Sequence, residues 1–210
     1  MPRLRHGALA LALCLGAVLA APSAASTATT TTIDPGQLPA TSAKPSTTTG
    51  VRSVLHVVWR AIVSDNPTLA RRSFFPRTAY IRMKQGLLAN PASDYDARLL
   101  AFYNLDLAAY HQRIVPGARP VLVGVKVHRS DAAWIPPGAC ENLIGYWHLA
   151  GVRLVFRKGA RVWSVAVASL ISWRGVWYVV HLGPNPRARN VGTIDDWRAG
   201  PGVAGPAGGC

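Results

Sequence analysis

Acidic residues are scarce in this chain. There are 9 Asp and Glu against 23 Lys and Arg, and Glu141 is the sole glutamate. The resulting formal net charge of +14 points to anionic partners: acidic lipid head groups, anionic cell-wall polymers or nucleic acid. The same excess also follows from a genome that favours Ala, Arg, Gly, Val and Pro codons, so charge alone does not choose a partner.

Cysteine is scarce too, with 3 residues, which excludes a dense disulfide scaffold. Long apolar runs are confined to Ala8–Ala21, which is too short to span a bilayer comfortably. It follows Arg3 and Arg5 and precedes the small residues of APSAAS, so residues 1–25 read as a signal peptide cleaved after Ala25 or, alternatively, Ala20. No transmembrane segment is expected after cleavage. The mature protein is expected to be secreted or associated with the cell envelope. Cys140 and Cys210 then remain; they can pair with each other in an oxidising compartment or stay as thiols.

Motifs that announce chemistry are also missing. There is no H-E-x-x-H, C-x-x-C, G-x-S-x-G or phosphate-binding glycine loop. His128, His148 and His181 with Cys140 match no zinc spacing, so no metal and no cofactor is expected.

Residues 26–50 are rich in Thr, Ser and Pro without apolar periodicity, and read as a disordered linker. The folded domain is expected over residues 51–184. Val51, Val54, Leu55, Val58 and Ile62 recur at helical spacing. Asn66-Pro67 caps and opens a second helix, and Pro76 opens a third. A long helix is expected from Ser93 to about Val115, with Ser93 and Asp96 as a capping box and Leu100, Tyr103, Leu107, Tyr110 and Ile114 on one face.

The period then changes to two. Val121, Val123, Val125 and Val127 mark a strand, and residues 130–142 read as a loop. Residues 152–182 read as three antiparallel strands joined at Lys158-Gly159 and Arg174-Gly175. Counting from those turns sets Phe156 opposite Arg161, Leu154 opposite Trp163, Trp173 opposite Val176, Ile171 opposite Tyr178 and Ser169 opposite Val180. One face then carries Val152, Leu154, Phe156, Trp163, Trp173 and Tyr178 as core, and the other is sparser, with Arg153, Ala166, Ala168, Trp177 and His181. Residues 185–210 read as an irregular Gly/Pro-rich tail. The fold class is α+β, with N-terminal helices on a curved antiparallel sheet.

His181 is the titratable group best placed to line a pocket, with Asp106 as its candidate carboxylate and Asp94 and Asp96 as substitutes. Trp134, Tyr146, His148 and Trp177 are candidate ligand-contacting residues, against the plainer alternative that they plug the sheet. Arg153, Arg157, Lys158, Arg161 and Arg174 cluster at the hairpins as a basic patch. No nucleic-acid motif accompanies them, and export argues against nucleic acid.

The stretches WIPPGACENLIGYWHLAGVRLVF and ASLISWRGVWYVVHLGP resemble a group of uncharacterised exported proteins of actinobacteria. The order of elements, ending in GVWYVVHL, is similar to the nuclear-transport-factor-2-like (cystatin-like) fold, which implies a cone of helix and sheet. The fold hosts isomerases, dehydratases and non-catalytic binding modules alike, so it does not choose an activity. The expected function is a non-enzymatic accessory or binding domain of the cell envelope, acting on anionic envelope components or another exported protein. The alternative is a small-molecule-binding or isomerase/dehydratase-type enzyme with a pocket in the cone.

Overall fold

The structure, a computed structural model, describes residues 33–128, 130 and 132–205. The expected signal peptide and Cys210 lie outside the described residues. Helices come first. Helix α1 (Thr49–Ser64) buries Val51, Val54, Leu55, Val58 and Ile62 on one face, as their spacing requires. Asp65 ends it in a left-handed conformation (φ 46°). Asn66 caps α2 (Pro67–Ala70) by accepting from the Leu69 amide at 2.9 Å, with Pro67 in the first turn where its missing N–H costs nothing. Helix α3 spans Arg77–Lys84.

The long helix begins earlier than expected. Asn90, not Ser93, is the cap: its side chain accepts from the Ser93 amide at 2.9 Å, and Pro91 opens α4 (Pro91–Asp94). A π-helical stretch, Tyr95–Leu100, joins α4 to α5 (Ala101–Ile114).

The sheet is antiparallel throughout, with β1 (Pro120–Lys126), β2 (Ala133–Ile135), β3 (Tyr146–Lys158), β4 (Arg161–Trp173), β5 (Val176–His181) and β6 (Asp195–Ala199). Its order is β1-β3-β4-β5; β2 pairs with the start of β3, and β6 pairs with β4. The α+β expectation holds at that level. Strand β2 lies inside the stretch expected to be a loop.

Both hairpins form, but the register expected at the first one is off by two residues. Lys158 pairs with Arg161, Phe156 with Trp163 and Leu154 with Val165. The turn is therefore Gly159-Ala160, with Gly159 at φ 60° in the first central position, as a II′ connection requires. At the second hairpin Trp173 pairs with Val176 and Ile171 with Tyr178, closed by Arg174 and Gly175 at φ 53° and 74°. A bulge between Ser169 and Leu170 then shifts the pairing, so Ser169 meets His181 rather than Val180.

The sparser face is not open. Trp177, Leu170, Ser164 and Arg153 are all buried. Part of the cover comes from the stretch expected to be disordered. On this face Trp147 donates to Ser42 O at 3.0 Å and Trp177 to Ser46 O at 3.1 Å, and on the opposite face Trp173 donates to Pro35 O at 2.8 Å, so three indole N–H groups fasten residues 33–48 to the sheet. A Thr/Ser/Pro sequence has no periodicity to reveal this, because the bonds use its backbone carbonyls. The rest of the cover comes from the expected tail, through β6. There Arg153, 1% exposed, donates to Ser164 Oγ at 3.0 Å and pairs with Asp196 at 2.5 Å. The boundaries at residues 50 and 184 thus move outward on both sides.

Tyr110 ties α5 to this arrangement. Its hydroxyl sits 2.6 Å from Ala166 O and 2.9 Å from Leu182 O and accepts from the Asp195 amide at 3.1 Å, with the residue fully buried. Tyr110→Phe removes all three partners at once in a site water does not reach. Urea unfolding should show a loss of about 1–3 kcal/mol, the cost of leaving buried backbone groups unpaired; an unchanged midpoint would show the hydroxyl to be idle.

Candidate functional site

A cavity of about 540 Å³ opens where the pocket ends of β3, β4 and β5 meet α3, the π-helical stretch and the 138–142 loop. The sheet supplies its floor. The Ser169/Leu170 bulge places Ser169 opposite His181, while His148 on β3 holds Ser169 Oγ at 2.8 Å through Nε2. All three line the cavity, with Ile171 and Val180 beside them as apolar wall.

The helices supply its charged wall. Asp94 and Arg98, one turn apart across the π-helical stretch, form a bidentate pair: Nε to Oδ1 at 2.7 Å and Nη2 to Oδ2 at 2.6 Å. The Tyr80 hydroxyl donates to Asp94 Oδ2 and accepts from Arg98 Nη2 at 3.0 Å. The Arg98 bonds outweigh burial and hold the Asp94 carboxyl below its ordinary value. Arg98 lines the cavity, and its Nη1 makes no hydrogen bond among the described residues. Lys84, half-buried and lowered from its ordinary value by burial, donates to the Glu141 carbonyl at 2.9 Å at the rim.

The rim loop is conformationally costly. Gly138, Cys140 and Glu141 all take positive φ, and for the two non-glycine residues that conformation is disfavoured. Asn142 holds the loop by donating from Nδ2 to Cys140 O at 2.9 Å and to the Tyr146 hydroxyl at 3.2 Å. Cys140 is disulfide-bonded; Cys210, its expected partner, lies outside the described residues.

His181 is neutral here. Burial first, then the positive charges of Arg98 and Arg187 and the neighbouring His148, lower its imidazole to about 4. No hydrogen bond to its ring occurs among the described residues.

The structure therefore brings together three of the residues expected at a site, His181, His148 and Tyr146, and adds Asp94 from the substitute carboxylates. Asp106 is elsewhere. It accepts from the Gly183 amide at 2.9 Å and the Thr193 amide at 2.9 Å, and pairs with Arg187. Burial raises its carboxyl, opposed by those same partners. Its role is to fix the chain after β5, so the His181–Asp106 pairing is corrected. Asp96 pairs with Arg77 at the surface. Trp177 does not line the cavity; it is 1% exposed and donates to Ser46 O. Trp134 stands at β2 with its ring edge-on to Trp147, 5.6 Å between centroids, and also lies outside the cavity.

Sequence reasoning missed Arg98, Tyr80, Lys84 and Ser169. The Asp94/Arg98 spacing of four residues on a helix was a visible signal. Ser169 was not findable without the bulge. Among the described residues no cluster of three or more His, Cys, Asp or Glu could hold a metal ion. Comparison with known protein families, curated proteins and solved structures finds no match for this chain.

The neutral imidazole sets a pH dependence. Its folded value, about 4, lies below the ordinary 6.5. Between those limits the unfolded chain binds the extra proton, so stability is full above 6.5, falls as pH drops toward 4, and levels off below. Comparing wild type with His181→Gln by urea unfolding isolates the group. The difference should change with pH only inside that window, by at most about 1.4 kcal/mol per pH unit. A pH-independent difference would mean that His181 titrates normally.

Proposed function

We propose that the protein is an exported, non-enzymatic binding domain of the cell envelope, and that its ligand is a small organic molecule held in this cavity. One observation carries the reading: a cavity of about 540 Å³, within the size range of small-molecule sites, with an apolar wall and convergent polar groups. Met83, Leu99, Ile171 and Val180 suit an apolar body. Arg98 Nη1 and Lys84 suit an anionic head such as a carboxylate, because charge-assisted bonds in a partly buried site are the strong ones. Neutral His181 suits a hydrogen bond to the ligand in either sense.

Export is supported by the Arg3/Arg5 and Ala8–Ala21 pattern and by the bonded state of Cys140, since disulfides persist in oxidising compartments. Helices over a bent antiparallel sheet with a cavity at the mouth support a nuclear-transport-factor-2-like fold. Another exported protein remains a candidate partner under this reading.

A second reading, an isomerase- or dehydratase-type enzyme, is favoured by His181 and by the His148–Ser169 contact in the cavity. It ranks below binding for a quantitative reason. A general base works best with its value near the working pH, and an imidazole held at about 4 is a weak proton acceptor at neutrality.

Anilinonaphthalene sulfonate, an aromatic anion, is a suitable probe. Its fluorescence should rise saturably with the folded protein. Ala168→Trp should fill the cavity and abolish the rise without lowering the urea midpoint. Arg98→Gln should weaken binding by about tenfold, one charge-assisted hydrogen bond. Undiminished fluorescence in Ala168→Trp would defeat the reading.

A further inference from the structure

The far end of the sheet from the cavity carries a second, unrelated feature. Strand β3 runs from Tyr146, at the cavity, to Lys158, where it meets β1 and the first hairpin turn. A groove of about 580 Å³ lies there between α1 and β1. Trp59 and Val63 of α1, Leu69 of α2 and Leu122 of β1 make its surface apolar, and Arg60 and Arg119 stand among them.

The register extends that edge. Pro120 pairs with Lys158, and Lys158 with Arg161, so those two cations continue the row on the groove side. Val121, which is also part of the groove's lining, pairs with Arg157, and Arg157 pairs with Val162, so a cation stands between two exposed apolar residues. Val121, Val123 and Val162 are 47%, 53% and 38% exposed.

Five cations therefore ring one apolar end: Arg60, Arg119, Arg157, Lys158 and Arg161. None of the five takes part in an ion pair among the described residues. Asp65 is the one carboxylate within two residues of the groove's lining. Four arginines elsewhere are engaged with carboxylates: Arg153 with Asp196, Arg98 with Asp94, Arg187 with Asp106 and, at the surface, Arg77 with Asp96. The expected basic patch is thus displaced, losing Arg153 to the interior and Arg174 to a bond with Pro39 O, and gaining Arg60 and Arg119.

We infer that this hairpin-and-groove end docks on an anionic phospholipid surface, with the five cations at the phosphates and the groove and exposed valines against the acyl region. Charge complementarity selects an anion, and the apolar surface between the cations selects an amphiphile over a nucleic acid. Nucleic acid would call for exposed aromatic rings to stack bases, and Trp59, the one aromatic in the groove, is 7% exposed. No helix among the described residues is long and apolar enough to cross a membrane, so the contact is peripheral. Cations near an anionic leaflet each add to attraction that salt screens, and the buried apolar area adds a part that salt does not.

The test is co-sedimentation of the protein with vesicles of phosphatidylcholine alone or mixed with phosphatidylglycerol, at low and physiological salt. Binding is expected only with phosphatidylglycerol. Arg119→Glu/Lys158→Glu/Arg161→Glu should weaken partitioning by at least about tenfold, and Val121→Asp/Val123→Asp should remove the salt-resistant part. Both variants replace residues outside the core, and circular dichroism checks that they fold. Equal binding to phosphatidylcholine vesicles overturns the inference, as does phosphatidylglycerol binding unchanged in the charge-reversal variant. So does a DNA oligonucleotide that displaces the protein from vesicles while the valine variant binds as wild type, since the surface would then be a general polyanion site.

Discussion

The buried carboxylate of Asp106 constrains most of what lies beyond β5. A charge at 2% side-chain exposure is tolerated only when its oxygens are claimed. Here they are claimed by two backbone amides, Gly183 and Thr193, and by Arg187. Because the donors come from both ends of an eleven-residue stretch, satisfying Asp106 folds residues 183–193 back over α5. A side chain at Gly183 would not fit: its Cβ would stand 2.5 Å from Thr193 Oγ1 and 3.0 Å from Asp106 Oδ2. The Arg187 guanidinium lies over the Phe102 ring at 4.2 Å, and its Nε is a buried atom without a hydrogen-bond partner, so the ring face is part of what accommodates that charge.

That return has consequences further on. It delivers Asp195 to the Tyr110 hydroxyl and β6 to the free edge of β4. Strand β6 in turn covers Arg153, which would otherwise be an unpaired cation on the sheet. Two buried arginines are thus each held by an aspartate, Arg187 by the buried Asp106 and Arg153 by the partly exposed Asp196 on β6. Such pairs add little net stability compared with apolar replacements, yet removing one partner is expensive. They specify where the last segment goes, which apolar packing alone would leave open.

The sequence was legible where local rules act alone. Apolar spacing located α1 and α5, Asn66-Pro67 located the start of α2, and the glycine turns located both hairpins. It was illegible where one residue decides between two local solutions. Gly159 serves equally as first or second residue of a turn, and its choice moved the β3–β4 register by two, which preserves faces. The Ser169/Leu170 bulge moved it by one step, which changed what stands beside Ser169 and put His181 there. No propensity marks that bulge. The strap of residues 33–48 was illegible for another reason: its affinity for the sheet lies in the three tryptophans, far away in sequence, and in carbonyls that every residue possesses.

The distribution of charge matters more than its total. A net charge of +14 describes an average over a molecule whose cations do different work. Arg153 and Arg187 are buried and organise chain returns. Arg98 is held by Asp94 and Tyr80 at the cavity wall, and its charge helps keep His181 neutral. Arg157, Lys158 and Arg161 have no such engagements and gather with Arg60 and Arg119 around an apolar groove. With 9 acidic residues, several of them committed to internal pairs, few remain to offset that end. Composition predicts an anionic partner anywhere on the surface; with Asp94, Asp96, Asp106 and Asp196 already paired to Arg98, Arg77, Arg187 and Arg153, none of these four is available to neutralise the groove end. Scarce carboxylates, several of them taken up in pairs with arginine, thus organise the fold in one region and leave the cations of the groove end unneutralised in another.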